Sequence, residues 1–247
     1  MRIIARLDIK NEFLIKGINL EGLRKIGKAK EEAINYYKKN IDEMVYIDTV
    51  ASLYSRGAIV DILRESVKNI FVPITVGGGI KSLDDAINYF EHGADKIFIN
   101  TAAVSEPRLI DELVKHFGKA NITLSVEAKE VEKNIFNVYT SSGRDNSGKK
   151  VDEWIKEAID RGVGEIFLTS VDNDGLQNGF DLKLIDYALN VSSVPIVISG
   201  GFGKLSDLDN LNQDLSGIAI GSALHYKKVS INEIKNKISE LGFKVRL

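Results

Sequence analysis

A chain of 247 residues that is 44% hydrophobic and 28% charged has apolar material for one large domain beneath a well-solvated surface. Its formal net charge of −2 offers no basic excess for nucleic acid, and no apolar run approaches the roughly 20 residues that span a bilayer. The absence of cysteine excludes disulfides and thiol chemistry, and MRIIARLDIK lacks the apolar stretch of a signal peptide, so a soluble cytoplasmic protein is expected.

Short β-branched runs alternate with segments of helical period along the chain. Strands are expected at 3–7, 44–48, 71–76, 96–99, 122–126, 165–169, 195–198 and 217–220, and helices at 29–39, 58–66, 83–92, 107–117, 151–161 and 182–189. Such alternation predicts βαβ units and a parallel sheet, either an open doubly wound sheet or a closed (β/α)8 barrel.

An internal repeat decides for the α/β barrel. FVPITVGGGI (71–80) matches SVPIVISGGF (193–202) at an offset of 122 residues, and ADKIFINTA and DEMVYID find SGIAIGSAL and GEIFLTS at the same offset. RLDIK (6–10) matches SVEAK (125–129) at 119, after a small indel. One domain over residues 1–247 is therefore expected to consist of two half-barrels, about 1–120 and 121–247. The repeat makes Asp8 and Glu127 equivalent, at the C-terminal ends of opposite strands.

That end of a barrel carries the active site, so acids there are candidates for proton transfer. Asp8 and Glu127 are expected to face each other, with Asp48 and Asp174 on the same rim. Pairing of Asp8 with Lys10, or helix capping by Asp48 or Asp174, would be the structural alternatives. Glycines directly after a strand let backbone N–H groups approach an anion, so TVGGGI with Asn100 and Thr101, and SGGFG with Ser222, are read as two facing phosphate sites. A turn-making role alone would explain one such cluster less surprisingly than a repeated pair. Lys16 is placed in a loop after the first strand, within reach of a phosphate. The three histidines are isolated and no G-x-S-x-G elbow occurs, so neither a metal site nor another cofactor is expected.

RLDIK, LIKGINLEGLR, TVGGGI, GADKIFINTAAV, GEIFLTSVDNDG, the SGG turn and the closing KVRL together resemble the HisF family, the cyclase subunits of imidazole glycerol phosphate synthase. The resemblance runs nearly end to end. It implies ammonia taken from a HisH-type glutaminase, in a heterodimer, and joined to a bis-phosphorylated ribulosyl precursor, yielding imidazole glycerol phosphate and an aminoimidazole carboxamide ribotide. It implies catalytic roles for Asp8 and Glu127. It further implies substrate or phosphate contacts from Lys16, Gly78, Gly79, Asn100, Thr101, Asp174, Gly175, Gly200, Gly201, Gly221 and Ser222. An ammonia gate of Arg2, Glu43, Lys96 and Glu165, and a partner contact at Asp95, are implied as well.

Four positions depart from the family pattern: Glu127 stands for aspartate, Arg6 for a small cysteine-like residue, and Val50 and Leu176 for threonines. The inlet is retained while the reaction mouth is altered. A second reading therefore has this chain as a HisF paralogue that delivers ammonia to a different acceptor, such as a surface-polysaccharide sugar, with a further amidotransferase. A HisA-type phosphoribosyl isomerase is a third.

Overall fold

The computed structural model describes residues 1–49 and 57–246. In chain order its strands are β1 (Arg2–Lys10), β2 (Phe13–Ile18), β3 (Glu21–Lys28), β4 (Glu43–Asp48), β5 (Ile74–Gly77), β6 (Lys96–Ile99), β7 (Ile122–Glu132), β8 (Ile135–Thr140), β9 (Asp145–Lys150), β10 (Glu165–Ser170), β11 (Ile196–Ser199) and β12 (Gly217–Ile220). The helices are α1 (Ala29–Lys38), α2 (Gly57–Ser66), α3 (Leu83–Glu91), α4 (Thr101–Ser105), α5 (Arg108–Phe117), α6 (Val151–Asp160), α7 (Leu182–Leu189), α8 (Ser222–His225) and α9 (Ile231–Glu240).

Eight parallel strands close on themselves in the order β1, β4, β5, β6, β7, β10, β11, β12 and back to β1. This is the (β/α)8 barrel that the repeat predicts, and β1 and β7 stand four strands apart on opposite sides. Period-two alternation on strands buried on both faces makes two apolar cores. Ile3, Ala5, Leu7 and Ile9 of β1 point outward into the layer shared with the helices, whereas Ile4 joins Val45, Phe98, Phe167, Val197 and Ala219 inside the barrel. The helices present matching stripes, as Leu109, Ile110 and Leu113 of α5 show. Capping fixes where they begin: Ser82 accepts from the Asp85 N–H at 3.2 Å, and Ser230 forms a capping box with Glu233.

Two antiparallel hairpins stand above this frame. β2–β3 extends β1, and β8–β9 extends β7. The first corrects the sequence expectation for Lys16, which lies on β2 rather than in a loop. The first strand also runs on to Lys10, because it has β2 to pair with. The strand expected from 71 begins only at Ile74; Phe71 is exposed, and Pro73 lacks the N–H a ladder needs. Helix α9 was not among the expected helices, and α4 and α8 are short helices that begin at Thr101 and Ser222. Val50 lies outside the described residues. Among the described residues no helix is long and apolar enough to cross a membrane.

The turn after β5 requires glycine on steric grounds. Gly78 has φ 103°, and a Cβ there would sit 2.3 Å from the Asp48 carbonyl oxygen. A Gly78→Ala substitution is expected to lower the unfolding free energy by at least about 2 kcal/mol, measured by urea denaturation, through left-handed strain and the backbone collision together.

Candidate active site

The C-terminal mouth divides into an open half and a closed half. The open half is a cavity of about 880 Å³ between the loops after β4, β5 and β6 and the second hairpin. Gly78, Gly79, Asn100 and Thr101 line it, as do Asp48 and Glu127. Phe98 and Ser125 line it too, and Phe98 also belongs to the apolar cluster inside the barrel. The β8–β9 turn holds Ser141, Ser142 and Gly143 at φ 53°, 60° and 74°. That left-handed run aims the Gly143 N–H at the Glu127 carboxylate, which accepts it at 2.7 Å, while the Ser141 N–H donates to Thr101 Oγ1 at 3.1 Å.

Desolvation pushes the Glu127 carboxyl up to about 7, against the pull of Arg6 and the Gly143 hydrogen bond; the Asp8 and Asp174 charges add to the push. A carboxyl that exchanges its proton near neutrality is suited to acid–base work. The Asn100 amide donates to the Tyr139 carbonyl at 3.2 Å, and its Oδ1 is buried with no hydrogen-bond partner among the described residues.

The closed half holds Asp8. Arg6 Nε donates to Asp8 Oδ1 at 3.0 Å, and Arg6 Nη1 donates to Asp174 Oδ2 at 3.2 Å and to Ser199 Oγ at 3.1 Å. Lys16 Nζ donates to Asp8 Oδ2 at 3.0 Å and to Asp174 Oδ1 at 2.7 Å. All four charged side chains are at most 5% exposed. Burial alone would raise the Asp8 carboxyl, but Arg6 and then Lys16 outweigh it and hold it far below the ordinary carboxylate range. Asp8 is therefore a fixed anion rather than a proton carrier near neutral pH. Its partners are Arg6 and Lys16, not Lys10, and Asp174 is an ion-pair partner rather than a cap; the capping acid of α7 is Asp181, which accepts from the Leu184 N–H at 3.1 Å.

The first hairpin is latched over this cluster. The Asn19 N–H donates to the Asp174 carbonyl at 2.7 Å, and the Asn19 side chain donates to the Asp172 carbonyl at 3.0 Å. Gly175 packs so tightly on the hairpin that a Cβ would meet the Gly17 carbonyl oxygen at 2.3 Å. Beneath it, Gly200, Gly201, Gly221 and Ser222 surround only about 10 Å³ of free space, where a single water needs roughly 10–15 Å³. Behind β1, His225 Nε2–H donates to the Arg6 carbonyl at 3.0 Å, and the Tyr36 hydroxyl donates to Nδ1 at 2.7 Å. Burial pushes this imidazole down to about 4, so it is neutral, with the proton on Nε2.

The opposite end of the barrel carries a ring of alternating charge. Arg2 pairs with Glu43 at 2.7 Å and with Glu165, and Lys96 pairs with Glu165 at 3.1 Å and Glu43 at 3.7 Å. Thr75 and Thr123 donate to Glu43 and Glu165 from above. Asp95 is exposed at the start of β6, where its carboxylate accepts the Ile74 N–H at 2.8 Å. Leu176 is exposed on the loop after Gly175.

The fold thus brings the sequence-named residues into three places: the open cavity, the closed cluster and the lower ring. Sequence reasoning noted Arg6 only as a departure, and missed Ser199, the Gly143 turn and His225. The repeat held a signal for the first of these. RLDIK against SVEAK sets Arg6 opposite Ser125.

A (β/α)8 barrel with paired Gly-Gly turns at one end and a ring of alternating charge at the other defines a class, and its relatives belong to one family. Residues 2–230 match the family described as "Histidine biosynthesis protein". Three relatives carry the name "Imidazole glycerol phosphate synthase subunit HisF". That of Legionella pneumophila is 46% identical over 85% of this chain and 99% of its own length. That of Helicobacter hepaticus is 41% identical and that of Natranaerobius thermophilus 39%, each over 100% of this chain and 98% of its own length. The chain belongs to the HisF family of imidazole glycerol phosphate synthase subunits.

The Glu127 environment sets a pH dependence. Its folded-state pKa lies above the ordinary 4.5, so the unfolded chain releases this proton first and stability falls as pH rises from about 4.5 through about 7. Glu127→Gln is expected to remove that slope, giving a gain on the order of 1–3 kcal/mol at about pH 8 and little change at about pH 4, by denaturant titration at each pH.

Proposed function

We propose that this chain is the ammonia-using synthase subunit of a glutamine amidotransferase complex. A HisH-type glutaminase docks below the barrel near Asp95. Ammonia then passes the ring of Arg2, Glu43, Lys96 and Glu165, crosses the apolar interior and emerges in the open cavity beside Glu127. The observation that carries this reading is the set of four ring charges beneath an apolar interior whose Phe98 also lines the mouth. Charged and hydrogen-bonded below, the interior is lined above by Ile4, Val45, Phe98, Phe167, Val197 and Ala219. Such a lining suits a small neutral molecule and disfavours an ammonium ion.

Two fates of the ammonia fit the family. In the cyclase reading, supported by the name the relatives carry, it attacks the bis-phosphorylated ribulosyl precursor, and Asp8 and Glu127 exchange the protons of ring closure. In the delivery reading, it reaches a different acceptor, such as a surface-polysaccharide sugar, with a further amidotransferase. Arg6 favours delivery. With Lys16, it fixes Asp8 as an anion and fills the space beside Ser222, leaving Glu127 as the mouth's proton-exchanging group. Glutamate in place of aspartate also advances that carboxylate by roughly 1 Å, a displacement that can cost about a hundredfold in rate.

Purified protein supplied with ammonium salt and the ribulosyl precursor is expected to release aminoimidazole ribotide at least about a hundredfold more slowly than a HisF cyclase assayed beside it. It is also expected to stimulate its glutaminase, and the double variant R6C/E127D to gain cyclase turnover. Rapid turnover by the unmodified chain would establish the cyclase. Failure to stimulate any glutaminase encoded beside it would overturn the ammonia reading altogether.

A further inference from the structure

We infer that the mouth takes a ligand with a single phosphate-type anion, seated on the Gly78–Gly79 side, and that the Arg6–Lys16 cluster has abolished the second anion site. The inference deepens the proposed function, resting on it for the cavity being where ammonia arrives.

The two halves of the barrel begin from the same plan. Gly78 and Gly79 have φ 103° and 71°, and Gly200 and Gly201 have 94° and 100°. Asn100 and Gly221 share an unusual backbone, at φ −133°, ψ −93° and φ −108°, ψ −87°. What separates the halves is one pair of side chains equivalent by the repeat, Ser125 and Arg6. Ser125 is small and lines the 880 Å³ cavity. Arg6 crosses the equivalent space to reach Asp174 and Ser199.

Lys16 completes the closure. Its Cε lies 3.6 Å from where a Cβ on Gly221 would be, against the turn that would have to accept the second anion. Two cations and two carboxylates, each cation donating to both carboxylates, leave neither cation free to turn to a further anion. An incoming phosphate would have to pull Lys16 off two buried carboxylates and lift the hairpin latched by Asn19.

The open half has the room that the closed half lacks. Lys81 and Arg144 stand on its wall beside five carboxylates, those of Asp48, Glu106, Glu112, Glu127 and Asp145, and Ser141 and Ser142 add hydroxyls suited to a hydroxyl-rich body. The ligand class is therefore a monophosphorylated, polyhydroxylated compound, its phosphate beside Gly78 and Gly79 and its body extending toward Glu127.

The test counts anion sites on the intact chain. Inorganic phosphate, followed by calorimetry and by backbone amide NMR shifts, is expected to bind at one site per chain, moving the Gly78 and Gly79 amides and not those of Gly200 and Gly201. Fructose 1,6-bisphosphate is expected to bind within about threefold of fructose 6-phosphate, since a second phosphate finds no second site. Ser125→Arg, which installs on the open half the residue of the closed one, is expected to weaken phosphate binding at least tenfold. Two sites, shifts centred on Gly200 and Gly201, no saturable binding, or a bisphosphate preference of a hundredfold would each overturn the inference. Glutaminase stimulation is read separately: its loss with one phosphate site intact would sink the ammonia reading and leave this one standing.

Discussion

The organisation of the mouth depends on the Arg6 guanidinium, held between two carboxylates that come from distant parts of the chain. Asp8 belongs to its own strand, whereas Asp174 lies in the loop after β10. By bridging them, and by drawing Lys16 into the same cluster, Arg6 ties β1, β2, the β10 loop and Ser199 of β11 into one unit. A buried guanidinium is costly to desolvate, and only full pairing makes it tolerable; removing one member would leave charge uncompensated at a cost of about 3–5 kcal/mol. The cluster is therefore all or nothing, which explains how one residue can decide the shape of half the mouth.

The two ends of the barrel hold the same charges in different surroundings. The lower ring and the upper cluster each set two cations against two acids. In the ring, Arg2 and Lys96 keep side-chain exposures of 31% and 22%, so water shares the work and rearrangement is cheap. In the cluster no such help exists, and the arrangement is fixed.

The barrel strands were legible because each is an apolar run buried on two faces, a pattern that survives in sequence. The hairpins were not, for the same physical reason. EGLRKIGK and DNSGKK, as strands β3 and β9, are largely exposed and exist through ladder hydrogen bonds to their neighbours, which leave no hydrophobic period. Lys16 was the hardest residue to place, since lysine is almost never fully buried unless paired, and its partners stand 8 and 158 residues away. Asp8 and Glu127 were legible as equivalent positions but not as opposites in protonation. That difference comes from Arg6 and Lys16 on one side and desolvation with a single N–H on the other.

The glycines of the closed half have a consequence for how such barrels are read. A Cβ at Gly200 would meet the Ser170 carbonyl oxygen at 2.6 Å, and one at Gly201 the Gly179 carbonyl oxygen at 2.0 Å. Backbone crowding alone forbids any other residue there, whether or not an anion ever binds. The fold itself requires this pair of glycines, so their presence alone does not report on an anion. In duplicated barrels of this kind, what reports on a half-site is the side chains that occupy the space the glycines face, not the glycines themselves.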